Sequence, residues 1–470
     1  MPPRQYNELG LIHNEETPLA KNINVKDKSI LASSDDSRIP NIIKQNIKII
    51  AWILIAASSL LVLTSIVSIN SSLHSDEMRS LLLPIGSYKL MSVQEGKSFF
   101  DNYKFYDGPD SLGSAGYNIY VGKDRAMEEL NIANVTTDEK TGEEFVFMKS
   151  SPTAKGPRES VRIEGNTRYN NGLFILDVRH MPAGPGVWPA WWLTDEDNWP
   201  YNGEIDIVEG INYQTVAKTA LHTSDRCSMF AHVPAWKKTG EWDRATGLPD
   251  TFTGVMDFNT SKPADDCWEM APHQWFNQGC VLINDGEGTI GQPLNAKGGG
   301  VFVLEWDPYK ENAIRSWVFP AHAALPTNLE QAIRTASSSN DVSSPSSQVV
   351  IPNPDEWGLP YAYFAVGDKT GCSKDHFKNM RIVFNLAFCG TVAGNRFFAD
   401  CPNEASLLSS SLMFNKKHKN DPVASCNDYI KSDPSILEEA YWKIKGLYVY
   451  ERSMKVPVQN SVDDNTNDED

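Results

Sequence analysis

The sequence predicts an all-β domain, a sandwich or barrel, preceded by one membrane-spanning helix. Three observations carry that prediction. From about residue 93 to Glu451 the chain runs as short β-prone segments separated by Gly, Pro, Asn and Asp, among them SVRIEG, GLFILDVRH, GEIDIVEG, VFVLEWD, AIRSWVFP, MRIVFNLAF and GLYVY. Helical periodicity is scarce between them, with 434–444 the best candidate for one short helix, and this removes βαβ architectures. Residues 49–69 (IIAWILIAASSLLVLTSIVSI) form a 21-residue run without a charge. At ~1.5 Å per residue such a run crosses a ~30 Å hydrocarbon core.

The elements follow in chain order. Residues 1–48 are polar without sustained periodicity and are expected to be a disordered cytoplasmic tail. A secretory signal peptide would begin near residue 1 and have a shorter apolar core, so 49–69 reads as an uncleaved signal-anchor. Arg38, Lys44 and Lys48 precede it and Asp76 and Glu77 follow. The positive-inside rule then gives a single-pass type II membrane protein, its folded part lumenal or extracellular. Residues 70–92 read as a stem and 93–452 as the folded domain. Within that domain VFVLEWD-PYKENA-IRSWVFP reads as a hairpin, and 335–347 (TASSSNDVSSPSS) as a flexible Ser-rich loop. Residues 453–470 are expected to be a disordered acidic tail, the last ten carrying five acids and no base.

The net charge of −17 argues against nucleic acid as a partner. All seven cysteines lie on the outer side of the span, where an oxidising compartment permits up to three disulfides and leaves one thiol over. The nearest neighbours in sequence are Cys267 with Cys280 and Cys401 with Cys426; spacing does not fix the pairing. No CxxC pair suggests zinc and no dedicated carboxylate loop suggests calcium, so no metal or other cofactor is expected. Sequons at Asn134 and Asn259 fall on the same outer side and would be glycosylatable there.

The chemistry concentrates in YNGEIDIVEG, residues 201–210. Glu204 and Asp206 share one face of a strand, and Ile205 and Ile207 take the other. Glu209 has the wrong parity, but one β-bulge around Ile207 and Val208 would return it to the carboxylate face. Such a strand could be a solvated surface. Like charges in register repel, however, and four indoles (Trp188, Trp191, Trp192, Trp199) precede the strand within VWPAWWLTDEDNWP. Retaining glycoside cleavage needs two carboxyls ~5–5.5 Å apart. On a flat strand residues four apart are ~13 Å apart, so the tips converge only on a concave face and with long outer side chains. Glu-Asp-Glu supplies those reaches. One glutamate would then be held protonated as the acid, and the other would be anionic as the nucleophile. Indole rings stack on the apolar faces of pyranoses, as a saccharide cleft requires.

The run WPAWW…NWPYNGEIDIVEG…ALHTSDRC resembles glycoside hydrolase family 16, in its fungal endo-1,3(4)-β-glucanase branch. DVRHMP, FNLAFCG and YWKIKGLYVY extend the resemblance over about 99–451. It implies a β-jelly-roll sandwich of two antiparallel sheets with a concave substrate cleft, and a monomer acting on β-glucan. Through the matching motif Glu204 is the nucleophile, Glu209 the general acid/base and Asp206 the modulating carboxylate. Trp192 and Trp199 match cleft aromatics, His222 matches a histidine near the catalytic centre, and Arg162 matches a cleft arginine. Trp188 and Trp191 fit either core or cleft. The sequence departs from the branch after FNLAFCG, where Thr391-Val392-Ala393-Gly394 stands in place of an acid, Trp, Ala and Gly; Phe397 and Phe398 are candidates to replace the ring. The resemblance leaves three functions: a hydrolase, a wall-glucan transglycosylase, or a non-catalytic membrane-anchored glucan assembly or binding protein. The last predicts a degraded motif, whereas all three acids are intact.

Overall fold

The period-two alternation read from the sequence builds two eight-stranded sheets, in a computed structural model that describes residues 86–452 apart from 111–113, 153–155, 230–231, 246–261, 339–348, 368–369, 411–417 and 433. The expected cytoplasmic tail, the 49–69 span, most of the stem, the acidic tail and Asn259 lie outside the described residues. Among the described residues no helix is long and apolar enough to cross a membrane.

The sheet that carries the carboxylate strand runs Glu241–Trp242, Cys280–Ile283, Lys218–His222, Glu204–Glu209, Val187–Thr194, Met380–Phe388, Arg162–Tyr169, Tyr103–Phe105. Its partner runs Ala362–Ala365, Ala313–Pro320, Gly300–Asp307, Gly172–His180, Tyr441–Arg452, Glu144–Lys149, Ala133–Thr137, with Tyr88–Glu95 also paired to Tyr441–Arg452. Among the described residues every strand pairing in these two sheets is antiparallel, so the chain is a two-sheet all-β sandwich consistent with the expected jelly roll. The expected hairpin forms, with Gly300 opposite Pro320 through to Asp307 opposite Ala313. A small third sheet departs from the expectation of two: Asn118–Tyr120 pairs in parallel with Arg158–Ser160 and antiparallel with Gly108–Pro109.

One large core fills the space between the layers. Ile163, Trp191, Leu193, Ile205, Ile207, Val208, Leu221 and Phe384 from one sheet belong to it with Phe174, Leu176, Val178, Leu304, Trp306 and Ile444 from the other. Strand Gly172–His180 is buried on both faces, which explains why GLFILDVRH reads as a nearly continuous apolar run. Its outward residues Leu173 and Ile175 pack with Val301, Tyr448, Leu329 and Ala336.

Leu329 and Ala336 belong to the helix Thr327–Ser337, which the sequence reading missed. Leu329, Ala332, Ile333 and Ala336 are spaced for one helical face, but the adjoining Ser-rich tract suggested a loop. The tract's first three residues continue the helix instead, and 339–348 lie outside the described residues. The expected helix at 434–444 is a 3-10 turn, Pro434–Leu437, followed by strand Tyr441–Arg452. The apolar positions Trp442 and Ile444 repeat every second residue and enter the core, so sheet packing prevails there. Further helices, Pro402–Ser410 and Pro422–Ser432, sit between FNLAFCG and the last strand. The expected stem is also too long, because Tyr88–Glu95 is already a strand of the sandwich.

Three disulfides form: Cys227–Cys372, Cys267–Cys280 and Cys389–Cys426, with Cys401 a buried free thiol. Proximity in sequence is right for Cys267 and Cys280. It is wrong for Cys426, whose partner is set by the packing of helix Pro422–Ser432 at the end of strand Met380–Phe388.

Candidate active site

The carboxylate strand contains the expected bulge. Trp191 pairs with Val208 but Trp192 pairs with Asp206, so Ile207 is the extra residue. Ile205, Ile207 and Val208 all enter the core, two of them consecutive, which a regular strand forbids. The register then places Glu209 beside Ala190, Asp206 beside Trp192, and Glu204 between Thr194 and His222. The bulge thus returns all three acids to one face, opposite the core.

Two of the acids meet a specific partner. His222 Nε2 lies 3.0 Å from Asp206 Oδ2, and its Nδ1 lies 3.1 Å from Asn277 Oδ1. Both partner atoms are acceptors, an arrangement that suits an imidazolium donating from both nitrogens. Burial opposes that charge, but the Asp206 hydrogen bond and charge, with Glu204 and Glu209 behind them, raise His222 to about 9. Trp188 Nε1 donates to Glu209 Oε1 at 2.7 Å. Burial, then the Asp206 charge, pushes Glu204 up to about 8 and Glu209 up to about 7. His222 and Arg162 work against the rise at Glu204, and the Trp188 hydrogen bond works against it at Glu209. Glu204 and Glu209 therefore titrate together and retain a proton near neutral pH.

Arg162 and Trp192 come together, with the guanidinium 5.2 Å from the indole centroid and 5.3 Å from that of Tyr106. Trp192 Nε1 donates to Asn385 Oδ1 at 2.9 Å, and Asn385 Nδ2 donates to Tyr120 at 3.2 Å. Trp199 is half-buried in the loop 195–203, and its Nε1 has no hydrogen-bond partner among the described residues. That loop is organised by Asp195, which accepts from Asn198, Asn202, Asn379 and Arg168 at 2.9, 2.6, 3.0 and 3.0 Å. Trp191 is fully buried core, whereas Trp188 serves the acids. Val392 packs in the cluster of Trp188, Ile211, Ala387 and Ala393. Phe397 is buried with Cys389, Cys401 and Cys426, and Phe398 packs against them, so both rings serve that core.

Sequence reasoning did not single out Asn277 or Asn385 and left Trp188 undecided. Asn385 had a signal, since it stands in the FNLAFCG strand at the parity facing Ala190 and Arg162. Asn277 had none, lying 55 residues from His222.

Glu204, Asp206 and His222 place donor atoms within 4.8 Å of one another, a spacing a metal ion could use. In its protonated form His222 offers no lone pair to a metal. The trio is an ion-paired acid cluster beside an aromatic-lined face.

Residues 103–450 match the family profile described as "XgeA-like, catalytic GH16 domain". The chain belongs to glycoside hydrolase family 16. It is 31% identical over 372 residues to a probable glycosidase of Schizosaccharomyces pombe, covering 78% of this chain and 70% of that one. It is 30% identical over 369 residues to the endo-1,3(4)-beta-glucanase xgeA of Emericella nidulans, where it covers 78% of this chain but spans 47% of the relative. Among solved structures, GH16 laminarinase 16A of Phanerochaete chrysosporium, with β-glucans in donor and acceptor sites, aligns at TM-score 0.56 and 27% identity. An elongating GH family 16 β-1,3-glucosyltransferase aligns at TM-score 0.57 and 29% identity. Each alignment covers 78% of this chain and 100% of the other. The protein is thus a glycoside hydrolase, similar to endo-1,3(4)-β-glucanases.

Proposed function

We propose that this GH16 protein is a retaining endo-β-glucanase that cleaves β-1,3 or mixed β-1,3/1,4 linkages. The observation that carries the reading is the bulged strand that puts Glu204, Asp206 and Glu209 on one face, with His222 and Trp188 bonded to two of them. Glu204 attacks the anomeric carbon and forms a glycosyl ester, while Glu209 gives its proton to the departing glycosidic oxygen. Glu209 then removes a proton from water, which attacks the same carbon and frees Glu204. Burial, with the Asp206 charge, raises both glutamates into the neutral range, so a proton is available to Glu209 for the first step. Trp192, Trp199 and Arg162 line the sugar path in this reading.

The test is reducing-sugar release from laminarin, lichenan and pustulan by the purified wild type and by Glu204→Gln. Activity on the first two that vanishes in the variant is expected. A variant as active as wild type would remove Glu204 from the mechanism. A second reading, transfer of the glycosyl group to another glucan, draws support from the likeness to the elongating glucosyltransferase. Chain-lengthened products in the presence of a laminari-oligosaccharide acceptor would favour it over hydrolysis. We also propose that residues 49–69 anchor the protein with its catalytic domain outside the cytoplasm; release into the supernatant by alkaline carbonate would overturn this.

A further inference from the structure

The loop 264–280 has no part in the motif, yet it reaches the catalytic cluster. The Cys267–Cys280 disulfide closes it, and the buried Gln274 braces it from inside. Gln274 Nε2 donates to the carbonyls of Asp266 and Gly279 at 2.7 and 2.6 Å, and its Oε1 accepts from Asp266 N at 3.0 Å. The loop is also zipped to the chain just after His222: Thr223 N donates to Cys267 O at 2.8 Å, and Glu269 N to Thr223 O at 3.1 Å. Asn277 N in turn donates to Glu269 O at 2.7 Å. Asn277 is therefore fixed from both sides, in a left-handed conformation (φ 59°) that Asn tolerates better than most residues. Two residues on, a Cβ at Gly279 would lie 2.3 Å from Leu221 O and 2.8 Å from His222 Nδ1. The loop backbone thus packs directly on the imidazole.

We propose that Asn277 is a positioning residue for the acid cluster, its Oδ1 accepting from His222 Nδ1 so that Nε2 is held as a donor aimed at Asp206. Without that acceptor the Nδ1 proton is held less tightly and the ring is free to rotate. The charge that sets the balance between Glu204 and Glu209 would then vary with it. The charged groups facing His222 are Glu204, Asp206 and Glu209 on the strand and Glu269 on the loop. Asn277 supplies a neutral contact, which selects a geometry without adding a charge. The inference rests on the glucanase reading only for its kinetic arm.

The experiment compares Asn277→Gly, which removes the side chain without straining the positive φ, with Asn277→Asp, which keeps an oxygen in its place. Two readouts are taken on the full-length protein: the His222 titration by ¹⁵N NMR of histidine-labelled protein, assigned with His222→Gln, and kcat and KM on laminarin. For Asn277→Gly, the His222 midpoint is expected to fall and kcat to drop about tenfold, the scale of one charge-assisted hydrogen bond, with KM within about twofold. Asn277→Asp should keep the midpoint at or above that of wild type and recover most of kcat. An unchanged His222 titration in Asn277→Gly overturns the proposal, even if the rate falls, because the loop would then act only as structure. An Asp variant as impaired as Gly also overturns it. Should wild type release no sugar from any glucan, the proposed function fails while the titration still decides the role of Asn277.

Discussion

Trp188→Phe isolates one interaction that the acid/base mechanism depends on. The indole is 8% exposed and packs with Ile211, Ala387 and Ala393, and phenylalanine keeps most of that contact. What it loses is the 2.7 Å hydrogen bond from Nε1 to Glu209 Oε1. That bond favours the carboxylate over the carboxylic acid, so its loss raises Glu209 above its present position near 7. A hydrogen bond to a charged acceptor contributes about 1.5–3 kcal/mol, and about 1.4 kcal/mol corresponds to one pH unit. The expected rise is therefore about one to two pH units. The active form carries the proton on Glu209, so the basic limb of the pH profile of kcat/KM on laminarin should move upward by about that amount. The acid limb should move less, because it reports the first proton lost by the coupled set. A basic limb that stays in place would refute the reasoning, since Glu209 would not be the acid or the indole would not govern it.

Removing a half-buried acid should expose the cost of the site to the fold. Glu204 is raised to about 8 in the folded chain, so the stability it contributes is full below its unfolded value and is lost as pH rises through 8. Glu204→Gln should thus melt above wild type at pH 8.5 and with it at pH 4; a lower Tm at pH 8.5 would contradict the assigned burial. Gly279→Ala forces a Cβ against Leu221 O and His222 Nδ1 at φ +65°. It should cost about 1–3 kcal/mol of stability by thermal melting and depress kcat as well, and a neutral variant would mean the loop can yield. Cys389→Ala with Cys426→Ala opens a disulfide spanning 37 residues. Urea unfolding should show a loss of about 4 kcal/mol, and an unchanged midpoint would show that helix packing alone holds that segment.

The sequence by itself determined the site strand. Strand geometry is local and has period two, so Glu204, Asp206 and a displaced Glu209 could be put on one face only by a bulge at Ile207 and Val208, and the register contains it. The hairpin at 300–320 was legible for the same reason. The tertiary structure decided everything that depends on long-range partners. Trp188 and Trp191 are three residues apart in one strand, and opposite parity gives one to Glu209 and the other to the core. Sequence alone could not tell which face was which for each. Helix Thr327–Ser337 forms because a second apolar sheet face awaits Leu329 and Ala336, a fact absent from its own residues. Cys426 finds Cys389 and not its nearer neighbour Cys401, because packing sets distance in space and sequence separation does not. Asn277 meets His222 for the same reason: a loop braced by Gln274 and closed by Cys267–Cys280 carries it there, and no local pattern encodes that meeting.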